Sequence, residues 1–408
     1  MATKFCGYMG CILDIDLGSE TITEYPWSDR DREEYLGGSI MAMKILSEDR
    51  AGSPFMISTG PLTGTGAPSS LRYEISGCSP WDGRPASTNC GGKFGLLLKK
   101  AGYDAVLIRG RAKNPVYLEI NEQGVHFCPA DELWGLGTVQ CREKLGKMLP
   151  DGEFSALRIG QAGENKVPFA SIAGEERASG RSGLGAVMGE KRLKAITVSG
   201  NRKVPIHDAE ASKLLLKEWF AHLHRHPVTG GLSKNNCLMC PINCGKKAKS
   251  FELSGACLTG EERQGLACAL DDLGMDAMTV ADILGDESIA DAAGAMEKIK
   301  RLAVFGGVPP QRQSSGVHRR DRGCVKLAEL FCVEDIGAFA GEYRCLCRAV
   351  SAAGLCLFSV NGMTYEEGHP ALHHTEMLKY AVGMEMDIER FIAIGRRGLK
   401  YEQKRSGS

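Results

Sequence analysis

Three cysteines lie within eight residues in the second half of the chain, at Cys237, Cys240 and Cys244. Thiolates spaced this closely can all contact one small group, which suits an iron–sulfur cluster held by four cysteines or a zinc ion. On spacing alone, zinc and ordinary packing are as reasonable as a cluster, because Cys-x-x-Cys also occurs in zinc sites. Any fourth ligand must come from another part of the chain.

The composition argues against nucleic acid or a membrane as the main partner. The chain has 408 residues, of which 43% are hydrophobic, with 50 basic and 50 acidic side chains. Such a balance gives no electrostatic attraction toward polyanions. We therefore expect a small molecule or another protein as the partner.

The sequence contains no recognisable export signal or membrane span. Asp14 and Asp16 interrupt the N-terminal hydrophobic residues, and the longest uncharged apolar run, 349–363, is too short and too polar to cross a bilayer. Sixteen cysteines without an export signal indicate a reducing compartment, where thiols are metal ligands or small buried side chains. We expect a cytoplasmic protein.

A repeat dominates the first half. From Gly95 to Gly110 the chain has a helix start followed by a buried-looking strand, and the same pattern runs from Gly185 to Gly200. The spacing is identical in the two copies (110 − 95 = 200 − 185 = 15). Two copies of one unit predict an internal duplication with a pseudo-two-fold axis.

Glycines precede the helix in each copy, at Gly91-Gly92 and at Gly180 and Gly183. Bare backbone N–H groups at a helix N-terminus can approach an anion closely, so the two units could cradle two phosphates. The alternative is that these glycines form tight turns without a ligand. Polar side chains near these glycines favour the interpretation with a ligand. These side chains are Arg72, Asn89, Arg177 and Arg181.

Local patterns predict an α+β fold. Alternating β-forming residues around turn signals predict hairpins over 11–25 and 116–127, and 209–226 is amphipathic and helical. Strand patterns become rare after about residue 203. We therefore expect an N-terminal domain over 1–203 built from two pseudo-symmetric α/β repeats with β-hairpins, and a mainly α-helical region over 204–408.

Other cysteines and histidines are given structural roles. Alternate residues on a helix do not face one way, so His222, His224 and His226 are expected at a solvated helix end, and the pair His373-His374 at the surface. Four other cysteines of the second half are expected to be structural, namely Cys257, Cys268, Cys345 and Cys347.

Four long segments resemble the aldehyde:ferredoxin oxidoreductase family of tungsten or molybdenum bis-pyranopterin enzymes. They are 59–65 (TGPLTGT), 87–95 (STNCGGKFG), 101–105 (AGYDA) and 177–189 (RASGRSGLGAVMG). The resemblance implies that this domain holds two pyranopterins, with a Mg²⁺ bridging their phosphates. The contact residues carried over by motif are Arg72, Asn89, Gly91, Arg177, Ala178 and Gly180.

The resemblance also implies a [4Fe–4S] cluster held by the three clustered cysteines and Cys356. Cys356 closes a segment, 351–356, that matches a family motif except that Ser351 replaces an aspartate. A sister motif spans 271–276. The side chains implied to contact the pterins are Asp271, Asp276, Ser351 and Leu355. A serine accepts a pterin N–H hydrogen bond less strongly than a carboxylate does.

The implied activity is oxidation of an aldehyde to a carboxylic acid, with electrons leaving through the cluster to ferredoxin or another iron–sulfur subunit. Glu252 lies where the family has a proton-transfer glutamate, whereas the family's histidine motif has no match. The chain resembles a shortened member, with less sequence before Cys237 and between 285 and 344. The alternative is a non-catalytic paralogue that serves as an electron-transfer or scaffold subunit. Substrate, choice of metal and assembly into a homo-oligomer remain open.

Overall fold

The structure is a computed structural model. The described residues are 3–48, 52–149, 152–175, 178–180, 182–225, 240–241, 258–284, 289, 291–306, 336–360, 369 and 371–403. Within them the strands are β1 (Ile12–Asp16), β2 (Thr21–Glu24), β3 (Phe55–Thr59), β4 (Arg72–Cys78), β5 (Pro85–Gly91), β6 (Ala105–Arg109), β7 (Val116–Asn121), β8 (Gly124–Pro129), β9 (Ser155–Arg158), β10 (Ile172–Ala173), β11 (Ala178–Ser179) and β12 (Leu193–Val198).

The helices of the described residues lie between these strands and after them. They are α1 (Asp29–Tyr35), α2 (Gly38–Glu48), α3 (Lys93–Ala101), α4 (Thr138–Met148), α5 (Gln161–Glu164), α6 (Leu184–Glu190), α7 (Ala209–Arg225), α8 (Gly260–Leu273), α9 (Ala277–Leu284), α10 (Ala292–Phe305), α11 (Ile336–Ala352), α12 (Leu372–Met377) and α13 (Ile388–Gln403). A short 3₁₀ turn, Leu357–Val360, follows α11. None of the described helices is long and apolar enough to cross a membrane.

Two six-stranded sheets repeat one topology. The first has the order β2-β1-β6-β3-β4-β5 and the second, read from the opposite edge, β8-β7-β12-β9-β10-β11. In each sheet the first strand of the hairpin pairs parallel with the strand after the third helix of the repeat, as β1 with β6 and β7 with β12. The other described pairings are antiparallel. This identity of order and direction confirms the internal duplication and the α+β class.

The predicted local elements are present. Both hairpins form, with Ile15 opposite Ile22 in the first and Leu118 opposite Phe127 in the second. The amphipathic segment forms α7, whose buried residues Leu215, Trp219 and Leu223 recur every four positions on one face.

A hydrophobic layer lies between the sheets, and three further clusters lie outside it, of which the smallest packs α4 against the second sheet. The central layer joins residues such as Ile15 and Phe55 of the first sheet to Leu118 and Ile196 of the second. A second cluster packs the first sheet against α2, α7, α11 and α13. A third packs α5 and α6 of the second repeat against α8, α9 and α10. The C-terminal helices therefore divide into two groups, one on each repeat.

Candidate cofactor and metal site

Two helices end with the same backbone geometry. After α8, Gly274 adopts a φ of 74° and its N–H donates to the Asp271 carbonyl at 3.1 Å. After α11, Gly354 adopts a φ of 89° and its N–H donates to the Ser351 carbonyl at 3.0 Å. A positive φ favours glycine, which explains its place in both motifs. The segments 271–276 and 351–356 are therefore structural equivalents as well as sister motifs.

Each helix end contacts one repeat of the N-terminal domain. The last residues of the two motifs occupy equivalent positions: the Asp276 N–H donates to the Phe169 carbonyl at 3.1 Å and the Cys356 N–H to the Ser69 carbonyl at 3.2 Å. A β-carbon added at Gly60 would lie 2.1 Å from the backbone of Ala353. Only glycine permits an approach this close.

Helix α8 meets the second repeat in the same way. A β-carbon added at Gly160 would lie 2.5 Å from the Leu273 backbone. The Ser171 N–H also donates to the Gly274 carbonyl at 2.8 Å. Glycines of both repeats thus serve close backbone approach of a helix end, a role that the sequence analysis did not assign to them.

The predicted pterin contacts of the first repeat form one polar network. Arg72 donates through Nε to the Asn89 side-chain oxygen and through a terminal nitrogen to the Asn89 carbonyl, the latter at 3.0 Å. Asn89 Nδ2 donates to Ser351 Oγ at 2.8 Å. Gly91 lies opposite Arg72 at the end of β5. The structure therefore joins Arg72, Asn89 and Ser351, which are far apart in sequence.

Glu74 completes this network and was not identified from the sequence. Its carboxylate accepts from Ser87 Oγ at 2.7 Å, from Asn89 Nδ2 at 2.9 Å and from Ser351 Oγ. The side chain is almost fully buried. Strand periodicity was the available signal, because alternate residues such as Arg72 and Glu74 project to one face.

The predicted contacts of the second repeat also converge. A β-carbon added at Gly180 would lie 2.3 Å from the Asp276 carboxylate, so no larger residue fits there without a shift. Asp276 accepts from the Thr279 N–H at 3.0 Å and from its hydroxyl at 2.7 Å. Between Ala178 and Gly180, the Ser179 hydroxyl is buried and has no hydrogen-bond partner among the described residues. Asp271 is half-buried, and its carbonyl accepts from Thr138 Oγ1 at 3.0 Å.

Ser69 contacts both of the described cysteines of the predicted cluster site. Its hydroxyl lies 3.3 Å from Cys240 Sγ, and its carbonyl accepts the Cys356 N–H. Both thiols are partly buried, and Cys240 packs against the hydrophobic side chains that cover the first sheet. Two cysteines separated by more than a hundred residues thus meet at one residue of the first repeat.

A buried histidine lies behind Cys356. Ser359 Oγ donates to the Cys356 carbonyl at 2.7 Å and lies 2.9 Å from His374 Nε2. When the serine proton is on the carbonyl, the serine oxygen can accept from His374 Nε2. His374 packs edge-on to Trp219, with ring centroids 4.8 Å apart.

The expected surface positions of several histidines are wrong. His222, His373 and His374 are all buried, and His373 stacks on Trp219 with ring centroids 5.5 Å apart. Burial lowers the pKa of His373, nearby His222 lowers it further, and Glu218 opposes both. The Glu218 carboxylate offsets little because it is largely exposed and 3.9 Å away. These residues were misread because α7 and α12 bury their polar-looking faces against each other.

Several predicted site residues lie outside the described residues. They are Arg177, Arg181, Cys237, Cys244 and Glu252. The Leu355 side chain is fully buried in the core, so only its backbone could face a ligand. Among the described residues, no group of three or more His, Cys, Asp or Glu side chains could hold a metal ion. The four-cysteine set therefore remains a prediction.

The residues that are described fit an anionic, hydrogen-bonding ligand such as a phosphate-bearing pterin. Arg72 supplies positive charge, and the carboxylate of Asp276 can accept from ring N–H groups. The buried hydroxyl of Ser179, without a partner among the described residues, is a further polar group suited to a ligand. Cys240 and Cys356, which both contact Ser69, could supply thiolate ligands of the kind that hold iron–sulfur clusters.

These features define the class: an α+β protein with a duplicated, glycine-rich N-terminal domain closed by two sister helix ends. The sequence profile of the family described as "Aldehyde ferredoxin oxidoreductase, N-terminal domain" matches residues 12–200. Residues 12–200 therefore correspond to the N-terminal domain of the aldehyde ferredoxin oxidoreductase family, which confirms the resemblance over this part of the chain.

Curated relatives match over about half of the chain. The "Tungsten-containing aldehyde ferredoxin oxidoreductase" of Pyrococcus horikoshii is 38% identical over 234 residues, which cover 55% of this chain and 39% of the relative. The "Aliphatic sulfonate oxidoreductase, WOR-like subunit" of Pyrococcus furiosus is 34% identical over 241 residues, covering 53% of this chain and 38% of the relative. The matched relatives are thus oxidoreductases, and the chain covers less than half of their length.

A solved structure is similar over nearly the whole chain. It is the "Active site complex BamBC of Benzoyl Coenzyme A reductase in complex with 1,5 Dienoyl-CoA", with a TM-score of 0.82 and 18% identity. The match covers 99% of this chain and 90% of that chain. At this identity the likeness concerns the fold alone.

Proposed function

We propose that the chain is a tungsten- or molybdenum-pterin, iron–sulfur oxidoreductase that oxidises aldehydes to carboxylic acids and passes the electrons to ferredoxin. The observation that carries the proposal is the convergence of the family's N-terminal domain with two sister helix ends, one of which brings Cys356 to Ser69 beside Cys240. The same relatives include a sulfonate oxidoreductase, so a different oxo substrate is compatible with the site.

The chain's own residues would bind and orient the cofactor. Arg72 and Asn89 would hold the pterin of the first repeat, and Asp276 with Ala178 and Gly180 that of the second. The bound metal would supply two-electron chemistry at an oxygen or carbonyl group, as cofactors generally do. Ser69 and Ser359 would fix the backbone around Cys356, as hydrogen-bonded neighbours do for other metal ligands.

The second candidate is a non-catalytic paralogue that keeps the cluster and acts as an electron-transfer or scaffold subunit. The replacement of aspartate by Ser351 in one sister motif favours it, because a serine is the weaker acceptor. Metal content separates the two candidates. Iron without tungsten or molybdenum would support the second one.

The test is metal and pterin analysis of protein purified without oxygen from cells supplied with tungstate and molybdate. We expect about one tungsten or molybdenum atom, two pterins and roughly four iron atoms per chain, since [4Fe–4S] is the family's cluster type. Reduction of a viologen dye by a panel of aldehydes would then test the activity. A chain that holds neither iron nor pterin would rule out both candidates.

Replacing Cys356 tests the cluster directly. The C356S variant should lose most of its iron, because a hydroxyl is a poor substitute for a thiolate ligand. The matched control is C268S, since Cys268 is exposed on α8 and is expected to be structural. Iron analysis and the visible absorbance of the cluster measure both variants. Equal iron in C356S and the wild type would remove Cys356 from the ligand set.

A further inference from the structure

The two sister helix ends differ at their first position. Asp271 carries a carboxylate at the end of α8, whereas the equivalent residue at the end of α11 is Ser351. The equivalence follows from the matching hydrogen bonds of Gly274 and Gly354 to these two residues. One half of the site therefore lacks the helix-end carboxylate that the other half has.

A carboxylate nevertheless lies at that place, supplied by strand β4. Glu74 Oε1 accepts from Ser351 Oγ and from Asn89 Nδ2, and Oε2 accepts from Ser87 Oγ. Its side chain is 2% exposed. Burying a carboxylate is unfavourable unless hydrogen bonds compensate. Three donors directed at Glu74 indicate that its surroundings are arranged to hold a buried carboxylate.

Glu74 also fixes the residues around it. The Asn89 amide nitrogen donates toward Glu74 Oε1 and Ser351 Oγ, two oxygens that lie side by side. The amide oxygen is therefore turned toward Arg72, whose Nε donates to it. Glu74 thus determines the orientation of Asn89 and, through it, the position of the Arg72 guanidinium.

We propose that Glu74 is the carboxylate that positions the pterin in the first half of the site, in place of a carboxylate at position 351. A carboxylate has about four acceptor sites, and the described residues use three. The remaining one suits a ring N–H of the pterin, while Arg72 is held toward an anionic group such as its phosphate. This inference rests on the proposed function and assigns a residue within the same site.

The test moves the carboxylate back to the helix end. E74Q keeps the shape and one acceptor oxygen but removes the carboxylate, so pterin per chain should fall at least twofold. The double variant E74Q/S351D restores a carboxylate beside Asn89 and should recover pterin to near the wild-type level. The control is E153Q, because Glu153 is an exposed carboxylate that pairs with Lys93. Pterin is measured as its fluorescent oxidised form, with iron content and circular dichroism as independent readouts of folding.

The outcomes separate this inference from the proposed function. Wild-type protein that contains pterin, with E74Q retaining the same amount, would overturn the role of Glu74 alone. If E74Q does not fold, the double variant decides: a folded E74Q/S351D with pterin supports the inference, and a folded one without pterin contradicts it. Wild-type protein that lacks pterin would refute the proposed function and this inference with it.

Discussion

At the scale of single residues, a few polar side chains link distant parts of the chain. Ser69 contacts Cys240 through its hydroxyl and Cys356 through its carbonyl. Ser359 links the Cys356 carbonyl to the buried His374. Hydrogen bonds next to a cluster restrict the orientation of its ligands and tune its potential. The environment of Cys356 is therefore determined by residues outside its own motif.

The buried His373 should make stability depend on pH. Its pKa is lowered in the folded protein, so below about 6.5 the unfolded chain takes up a proton that the folded chain resists. The free energy of unfolding should therefore fall as pH drops below about 6.5, by up to about 1.4 kcal/mol per pH unit for one group. In H373F, which keeps a ring against Trp219, this loss should be smaller.

Urea unfolding between pH 5 and 8 measures this difference. The control is H126F, because His126 is an exposed residue of β8 and its replacement should leave the pH profile unchanged. His222 and Glu218 flank His373 and are present in all three proteins, so the variants differ from the wild type only at the replaced histidine. Parallel profiles for H373F and the wild type would contradict the prediction.

At the scale of elements, helices α8 and α11 perform one task twice. Each ends at a glycine with positive φ and then donates a backbone N–H to a loop of one repeat. The duplication visible in the two sheets thus extends to the helices that close the site. It places Asp276 and Cys356 in equivalent positions, one beside Gly180 and the other beside Ser69.

Replacing Gly354 should separate α11 from the first repeat. An alanine there must adopt a φ of 89° and would place its β-carbon 2.3 Å from Thr63 Oγ1 and 3.1 Å from Gly60 Cα. The combined strain and overpacking should cost about 2–4 kcal/mol. Chemical denaturation of G354A measures the loss.

The matched control for this variant is G265A. Gly265 is an exposed residue within α8, and an added β-carbon there would meet nothing within 4 Å. Alanine should stabilise that helix by about 0.5–1 kcal/mol, because it has the higher helix propensity. Equal effects of G354A and G265A would show that the close approach of α11 contributes nothing.

At the scale of the whole molecule, the two sister helix ends belong to helices that pack in different hydrophobic clusters. Helix α11, which ends at Ala352, packs in the hydrophobic cluster on the first sheet. Helix α8, which ends at Leu273, packs in the hydrophobic cluster on the second repeat. A ligand bound between the two helix ends would contact both repeats. Its binding energy would therefore stabilise the contact between the helices and the N-terminal domain.

Removing the proposed cofactor should loosen both helix ends together. Protein from cells starved of tungstate and molybdate should have a lower unfolding midpoint, because binding at a hundredfold excess over Kd contributes about 2.7 kcal/mol. Amide hydrogen exchange should quicken at 271–276 and 351–356, whereas β6 and β12, which are inner strands of the two sheets, should stay protected. Faster exchange at only one motif would contradict a ligand shared by both halves.

Much of the fold could be predicted from local patterns. The hairpins, α7 and the duplicated unit were all predicted, because alternation, amphipathicity and glycine spacing are properties of neighbouring residues. Glu74 and Ser69 were not identified, because their partners lie far away in sequence. The burial of His373 and His374 was missed for the same reason, since only packing of α7 against α12 covers them.

Residue types and their spacing were enough to indicate the family, the repeat and the candidate ligands, because motifs and periodicity depend on nothing else. Which of these residues meet became visible in the folded chain. It joined Arg72, Asn89 and Ser351 through Glu74, and it brought Cys356 to Cys240 at Ser69. The physical reason is that burial and hydrogen bonding between distant segments are set by how the two repeats and their helices pack.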